Sequence, residues 1–458
     1  LTSTLIKDSV NIMSLLKNKI FILSVVVVLL LLVVTAAFKL FSIYAFNSFS
    51  KDLETGNQQL FTGFKDEIST ADKINLNLFK ASESLSNSSS FSKEKNAQYL
   101  SQTKTEYDNS LTAYKKGLDD LVTNVSKLES FSKMPLWLGG NQKKFVADLT
   151  ASLKSYKAAR KTDYDSMVKA EPVFNNSLQV IGDTSVLLGY ALALQNAQSE
   201  QEVVTALAQN FSQLAPLEKY TKADYKFEGQ DTLAKEYPDS YKAFAAFKTI
   251  FGQYYTAFKA LTQGDTSQAA NLNQIGREFE NSISALQNPF REIAAEAKPN
   301  TTKIKDAYAN YTKALDFYSE KKLYSNLLSE SKCLVQNNQN KAVVLAYAVQ
   351  LYETDKEKPP ADKSFSALVG TLKTGNYFDS SLKYNESDFT YASDGVMYFE
   401  IGYKDEVSDK METFIIGIKE GTTSQSLGLS TQVFKLKGVE VDLGSVNLLV
   451  NYIKSLTR

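Results

Sequence analysis

No histidine occurs anywhere in the 458 residues, and there is a single cysteine, Cys333. The first absence removes Ser-His-Asp and Cys-His catalysis, the two-His-one-carboxylate iron sites and nearly all zinc enzymes. The second removes intrachain disulfides, four-cysteine zinc sites and cysteine-ligated iron–sulfur clusters. There is no excess charge either: 51 basic residues balance 51 acidic ones, so no electrostatic basis exists for binding nucleic acid. Proline is scarce, with 8 residues, and none precedes Pro135; nothing in the first 134 positions forces a helix to break. Tryptophan is limited to Trp137, and arginine to Arg160, Arg277, Arg291 and Arg458. The preference for lysine over arginine suits an AT-rich bacterium.

What is present begins with an uncharged apolar run. Residues 20–38 read IFILSVVVVLLLLVVTAAF, with Ser24 and Thr35 the only polar side chains. Nineteen helical residues rise about 28 Å, close to the hydrocarbon thickness of a bilayer. Lys7, Lys17 and Lys19 precede the run; Lys39 and Lys51 follow, with Asp52 and Glu54 close behind. By the positive-inside rule the N-terminus is cytoplasmic. The expectation is a single-pass membrane protein with a cytoplasmic tail over 1–19, a transmembrane helix and its extension over 20–46, and the rest outside the cytoplasm. A cleaved signal peptide is the alternative, Val34-Thr35-Ala36 offering small residues to a signal peptidase, but the run is longer than a usual signal core and lacks a polar flank. Leu1 in place of Met reads as a fragment or a non-standard start codon.

Helical periodicity continues outside the membrane. Phe41, Phe46, Leu53, Leu60, Phe64 and Ile68 extend the first helix to a stop in the Ser86-Asn87-Ser88-Ser89-Ser90 stretch. Tyr107, Leu111, Tyr114, Leu118, Leu121, Val125 and Leu128 are spaced alternately four and three apart, a coiled-coil seam that serves either a helical hairpin within the chain or a homodimer. Pro135 and the Gly139-Gly140 pair then break the helix. Trp137, between them, either plugs the end of the bundle or stands exposed as an intermolecular contact.

Further stripes follow. Phe145, Leu149, Leu153, Tyr156, Arg160, Tyr164 and Met167 form one, in which Arg160 is expected to snorkel to water. Two more are aromatic: Tyr241, Phe244, Phe247, Phe251, Tyr254 and Phe258, then Ile304, Tyr308, Tyr311, Leu315 and Tyr318. Both are expected to face a core. Breaks are predicted near Pro172, Pro216, Pro238, Gly264-Asp265, Pro289 and Pro299-Asn300. The fold expectation is mainly α: a multi-helix bundle or stalk over 47–332, followed by a small α+β head over 333–458.

In that head, Ala342, Leu345, Val349 and Tyr352 mark a helix that Pro359-Pro360 ends. The period then falls to two, with Phe389 and Tyr391 before a Ser393-Asp394-Gly395 turn and Met397, Phe399, Ile401 and Tyr403 after it. Phe414, Ile416 and Ile418, then Val439, Val441 and Leu443, alternate likewise, giving three to five antiparallel strands, and residues 447–456 suggest a closing helix. The order of helix, Tyr352, Pro359-Pro360, Ser366-Ala367-Leu368, Gly375-Asn376-Tyr377 and a tyrosine-rich hairpin at Asp394-Gly395 resembles the soluble domain of type IV pilins and pseudopilins, over about 335–420. The resemblance implies a pilin-like interaction module. The chain departs from that family in its membrane run, which lies some 300 residues upstream without a prepilin cleavage site.

No cluster carries a recognisable reaction. Lys373-Thr374-Gly375 lacks a usable Ser-x-x-Lys and a Ser-Asp-Asn partner. Asp163 with Asp165, and Asp119 with Asp120, fall on helix faces. Asp405, Glu406 and Asp409 lack the alternating spacing of a calcium loop. No catalytic residue, metal or cofactor is expected, and Cys333 and Trp137 are left as candidate intermolecular contacts; Cys333 is by default buried and inert, with a disulfide between two copies as the alternative. The functional expectation is a non-catalytic, structural or binding protein displayed on the cell envelope, with the lipid bilayer and a surface protein as partners. The alternatives are a ligand-binding sensor ectodomain and a carboxylate-dependent envelope hydrolase, the latter needing two acidic side chains about 5–9.5 Å apart across a cleft.

Overall fold

The computed structural model describes residues 2–86, 91–195, 199–265, 267–285, 287–321, 323, 338–356, 358–378, 384–395, 398–405, 408–417, 433–436 and 439–442. Three long antiparallel helices build its frame: α1 (Thr2–Ser86), α2 (Lys93–Ser132) and α3 (Gly140–Gln195). The predicted stop after Ser86 is where α1 ends. Ser92 then caps α2, its hydroxyl accepting from the Lys95 backbone N–H at 3.2 Å, which satisfies one of the orphan donors of a helix start.

The seam on α2 behaves as its spacing dictates. Tyr114, Leu118, Leu121, Val125 and Leu128 are buried, and Tyr107 and Leu111 half-buried. The partners are α1 and α3 of the same chain, so the intramolecular hairpin uses this seam.

Two apolar cores cover the ends of the frame. The first takes Leu78, Ala81 and Leu85 of α1, residues 170–194 of α3, α4 (Glu200–Asn210), a 3₁₀ helix (Phe211–Thr221), α5 (Gln230–Glu236), α6 (Pro238–Thr262) and α7 (Gln268–Ala285). Here the α6 stripe is core: Phe244, Phe247, Phe251, Tyr254 and Phe258 are buried, and Tyr241 packs against them. Pro238 starts α6 and Gly264-Asp265 follows its end, as predicted.

The second core takes residues 46–60 of α1, 121–131 of α2, 145–159 of α3 and the stripe of α8 (Gln287–Glu320). It also takes α9 (Asn338–Lys356), α10 (Phe365–Thr374) and the first two strands of a three-stranded antiparallel sheet, β1 (Phe389–Ser393), β2 (Tyr398–Lys404) and β3 (Met411–Gly417). The register pairs Tyr391 with Ile401 and Ser393 with Phe399, and the inward row Phe389, Tyr391, Phe399, Ile401 and Tyr403 is buried. Gly395 takes the left-handed φ of 70° that the predicted turn requires. A separate pair, β4 (Val433–Leu436) and β5 (Val439–Asp442), lies beside α4 and α7 respectively. The bundle and the C-terminal region therefore meet in one core. Residues 342–349 of α9 are buried all round, not on one face, which is how an all-apolar helix is accommodated. The boundary expected at 333, and the closing helix at 447–456, lie outside the described residues.

Three expectations are corrected. Arg160 does not snorkel: it is 3% exposed. It ion-pairs with Glu67 of α1, lies 3.6 Å from the centroid of the Tyr114 ring and donates to Tyr347 Oη of α9 at 3.3 Å. A long stem reaches water only if no partner is nearer, and here three other helices supply partners. Pro172 does not end its helix: α3 runs through it, and its ring packs against Gly229, where a Cβ would come within 2.7 Å. Pro299 likewise lies inside α8.

Among the described residues one helix is long and apolar enough to cross a membrane, α3 over Gly140–Leu194, and 72% of its most apolar stretch is buried in the protein. Asp183 sits in that stretch, ion-paired to Lys219 at 2.7 Å and accepting from Tyr220 Oη at 2.5 Å. Burial raises its carboxyl above the ordinary value, against the pull of Lys219 and Tyr220. This is a core helix. The run at 20–38 lies within α1, and the side chains of residues 2–30 and of residue 32 are outside the described set.

Candidate functional site

The exposed apolar surface is concentrated where α1 enters the body. From Leu31 to Phe41 every described side chain is exposed, Leu31 by 58% and Val34 by 60%. Burial starts abruptly at Ser42 and continues through Phe46, Phe49, Ser50 and Leu53 at three- and four-residue spacing. Helix periodicity thus switches from no preferred face to one face at a single position.

A groove of about 740 Å³ opens immediately beyond, between α1 and α2. Two helical rows of α1 border it. The row Phe41, Ala45, Phe49 and Leu53 is apolar; the row Tyr44, Ser48, Asp52 and Gly56 becomes small and polar. The shrinking second row keeps the groove open. Gly56 ends it, because α2 approaches so closely that a Cβ there would lie 2.7 Å from Asn124 Oδ1. Phe49, Leu53, Leu128, Phe131 and Leu153 supply the buried wall, and Phe49 stacks on Phe131 with centroids 4.1 Å apart. Asp52 and Lys127 stand exposed at its edge. Covering such a surface removes apolar area from water, worth about 25 cal/mol per Å², and two opposite charges stand at its edge.

The α2–α3 loop closes the same end of the body. Trp137 is 55% exposed, so it is not a plug. Its backbone N–H donates to Ser42 Oγ at 2.8 Å, and Ser42 Oγ in turn donates to Phe38 O at 2.8 Å. Met134, in the same loop, lines the groove with Phe41 and Tyr44. The sequence singled out Trp137 as the sole tryptophan but not Tyr44, Met134 and Gly56. The signal available was the pair of adjacent i, i+4 rows on α1, one apolar and one shrinking.

Cys333, the other expected contact, lies outside the described residues, as does Glu406. The remaining carboxylates of the suspected acidic loop serve the β2–β3 turn. Asp405 accepts from Ser408 N at 2.6 Å, and Asp409 pairs with Lys404 at 2.6 Å. Asp163 accepts from Tyr114 Oη and Asn300, while Asp165 pairs with Lys161 on the surface at 2.7 Å. Each is engaged in holding local structure. Among the described residues no group of three or more metal-ligating side chains converges. The Glu353 carboxyl, at the C-terminal end of α9, is raised to about 7, first by burial and then by the charge of Asp394. No protein-family model, curated protein or solved structure matches this chain.

Proposed function

We propose that this chain is a single-pass membrane protein of the cell envelope, anchored by residues 20–38 with its N-terminus in the cytoplasm, and that its extracytoplasmic body works by non-catalytic binding. The observation that carries the reading is the exposed apolar helix that runs into the body and first buries one face at Ser42. Each large aliphatic side chain left in water forgoes about 1.5–3 kcal/mol; a bilayer removes that cost for all of them together. The lysines at 7, 17 and 19 support the orientation. From Ser42 to Ser86 α1 rises about 66 Å, at 1.5 Å per residue, which gives the body the reach of a display protein. The groove beside Phe49 and Phe131 is its binding element, and its chemistry fits an apolar or amphiphilic ligand.

Alkaline carbonate extraction and protease treatment of intact cells carrying a C-terminal tag test this reading. The expected result is retention in the membrane pellet, with loss of the tag and a membrane-held remainder. Release into the carbonate supernatant would refute the anchor, and a tag protected on protein that stays in the membrane would refute the orientation.

A further inference from the structure

We propose that the α2–α3 loop, residues 133–139, is a second membrane contact, with Trp137 and Met134 lying in the headgroup layer beside the anchor. The inference rests on the anchor reading above and adds a bilayer-facing surface on the body itself.

The first argument is depth. Ser42, to which the Trp137 backbone is bonded, lies four residues beyond Phe38, the last residue of the apolar run. That is about 6 Å along the helix. The interfacial layer on each side of the hydrocarbon is about 5–8 Å thick. The loop is therefore tethered at interfacial depth.

The second argument is composition. Trp137 is the only tryptophan of the chain, and it is exposed together with Met134, Phe41 and Tyr44, the last by 73%. Tryptophan and tyrosine favour this layer because one end of each ring system is apolar and the other donates a hydrogen bond. Residues 133–144 contain three lysines, Lys133, Lys143 and Lys144, the last paired with Asp148, and no acidic residue. Such a flank is drawn to anionic headgroups.

The third argument is that the loop is held in shape. Met134 N donates to Phe131 O at 3.1 Å and Leu136 N to Met134 O at 2.8 Å. Gly139 N donates to Gln142 Oε1 at 2.9 Å. Leu136 and Leu138 pack inward against the second core, while Trp137 between them faces out. The alternation inward, outward, inward presents one large ring away from the body. A soluble partner reaching it would have to enter the headgroup layer, which lipid already fills.

Because Trp137 is unique, its fluorescence reports this loop alone. The full-length protein is reconstituted into vesicles of phosphatidylcholine and phosphatidylglycerol, some brominated near the headgroup end of the acyl chain, some near its methyl end. Flotation of the vesicles is read in parallel. A control variant, Trp137→Phe with Tyr99→Trp, moves the reporter to the far end of α2. The expected result is a blue-shifted Trp137 emission, a loss of emission that is larger with the shallow bromine than with the deep one, and no loss in the control variant.

Flotation without bromine quenching of Trp137 would overturn the loop contact and leave the anchor standing. Shielding from aqueous iodide without bromine quenching would do the same, and would assign Trp137 to a protein–protein contact. Equal quenching of both reporters would overturn it too, since the whole body would then lie flat on the bilayer. A protein that fails to float would overturn the anchor and this inference with it.

Discussion

Arg160 of α3 and Glu67 of α1, 93 residues apart in sequence, form an ion pair sealed between the two cores. Burial raises the Glu67 carboxyl above its ordinary value, against the pull of Arg160. Tyr114 and Tyr347 complete the surroundings, and Tyr156 Oη donates to Tyr347 Oη at 3.1 Å. Breaking one half of such a pair leaves the other charge buried alone. Arg160→Leu or Glu67→Leu is therefore expected to lower stability by about 3–5 kcal/mol. The double variant should recover most of that loss. Urea unfolding of the full chain in detergent is the check, and a double variant as unstable as the sum of the singles would show that the pair has no special coupling.

Glu353 makes stability depend on pH with a definite sign. Its folded value of about 7 lies above the reference of 4.5, so the folded state holds the proton more tightly than the unfolded one. Its contribution is full below about 4.5 and is lost as pH rises through about 7. Glu353→Gln, which keeps the neutral form, should raise the melting temperature at pH 8 and leave it nearly unchanged at pH 4. Equal shifts at both pH values would assign the effect to packing instead of titration.

The groove predicts a binding phenotype separable from stability. Ser48 is exposed at its edge, so Ser48→Trp fills the opening without entering the core. Binding of a dansyl-labelled fatty acid, followed by fluorescence titration, should weaken by about tenfold or more, equivalent to about 1.4 kcal/mol. Unchanged affinity would place the apolar ligand elsewhere.

Two aromatic residues should behave oppositely. Phe251 is fully buried among Phe247, Tyr220 and Phe279, and Phe251→Ala should cost about 3–5 kcal/mol. Trp137→Ala in detergent should change stability by no more than about 0.5 kcal/mol, because its ring covers little of the body. Thermal unfolding of both variants checks the contrast. A large loss for Trp137→Ala would mean that the ring supports the α2–α3 junction.

Much of the architecture was legible in residue spacing. The seam from Tyr107 to Leu128, the stripes on α6 and α8, the stop after Ser86 and the turn at Asp394-Gly395 all appear where the periodicity and turn chemistry put them. Pro172 and Pro299 misled, because a proline disfavours a helix locally while packing on both sides can carry the helix through it. The candidate site was only half legible. Trp137 stood out as the sole residue of its kind, but the groove belongs to two helices at once.

Most helical segments, their apolar faces and the uncharged run are legible in residue order, because they are properties of neighbours three or four residues apart. Which faces meet was settled by the fold. It placed Glu67 opposite Arg160, brought α9 and the sheet into the core of residues 46–60, and set the Trp137 loop against Ser42. Those outcomes depend on groups tens to hundreds of residues distant, and on whether a charge finds a partner before it finds water.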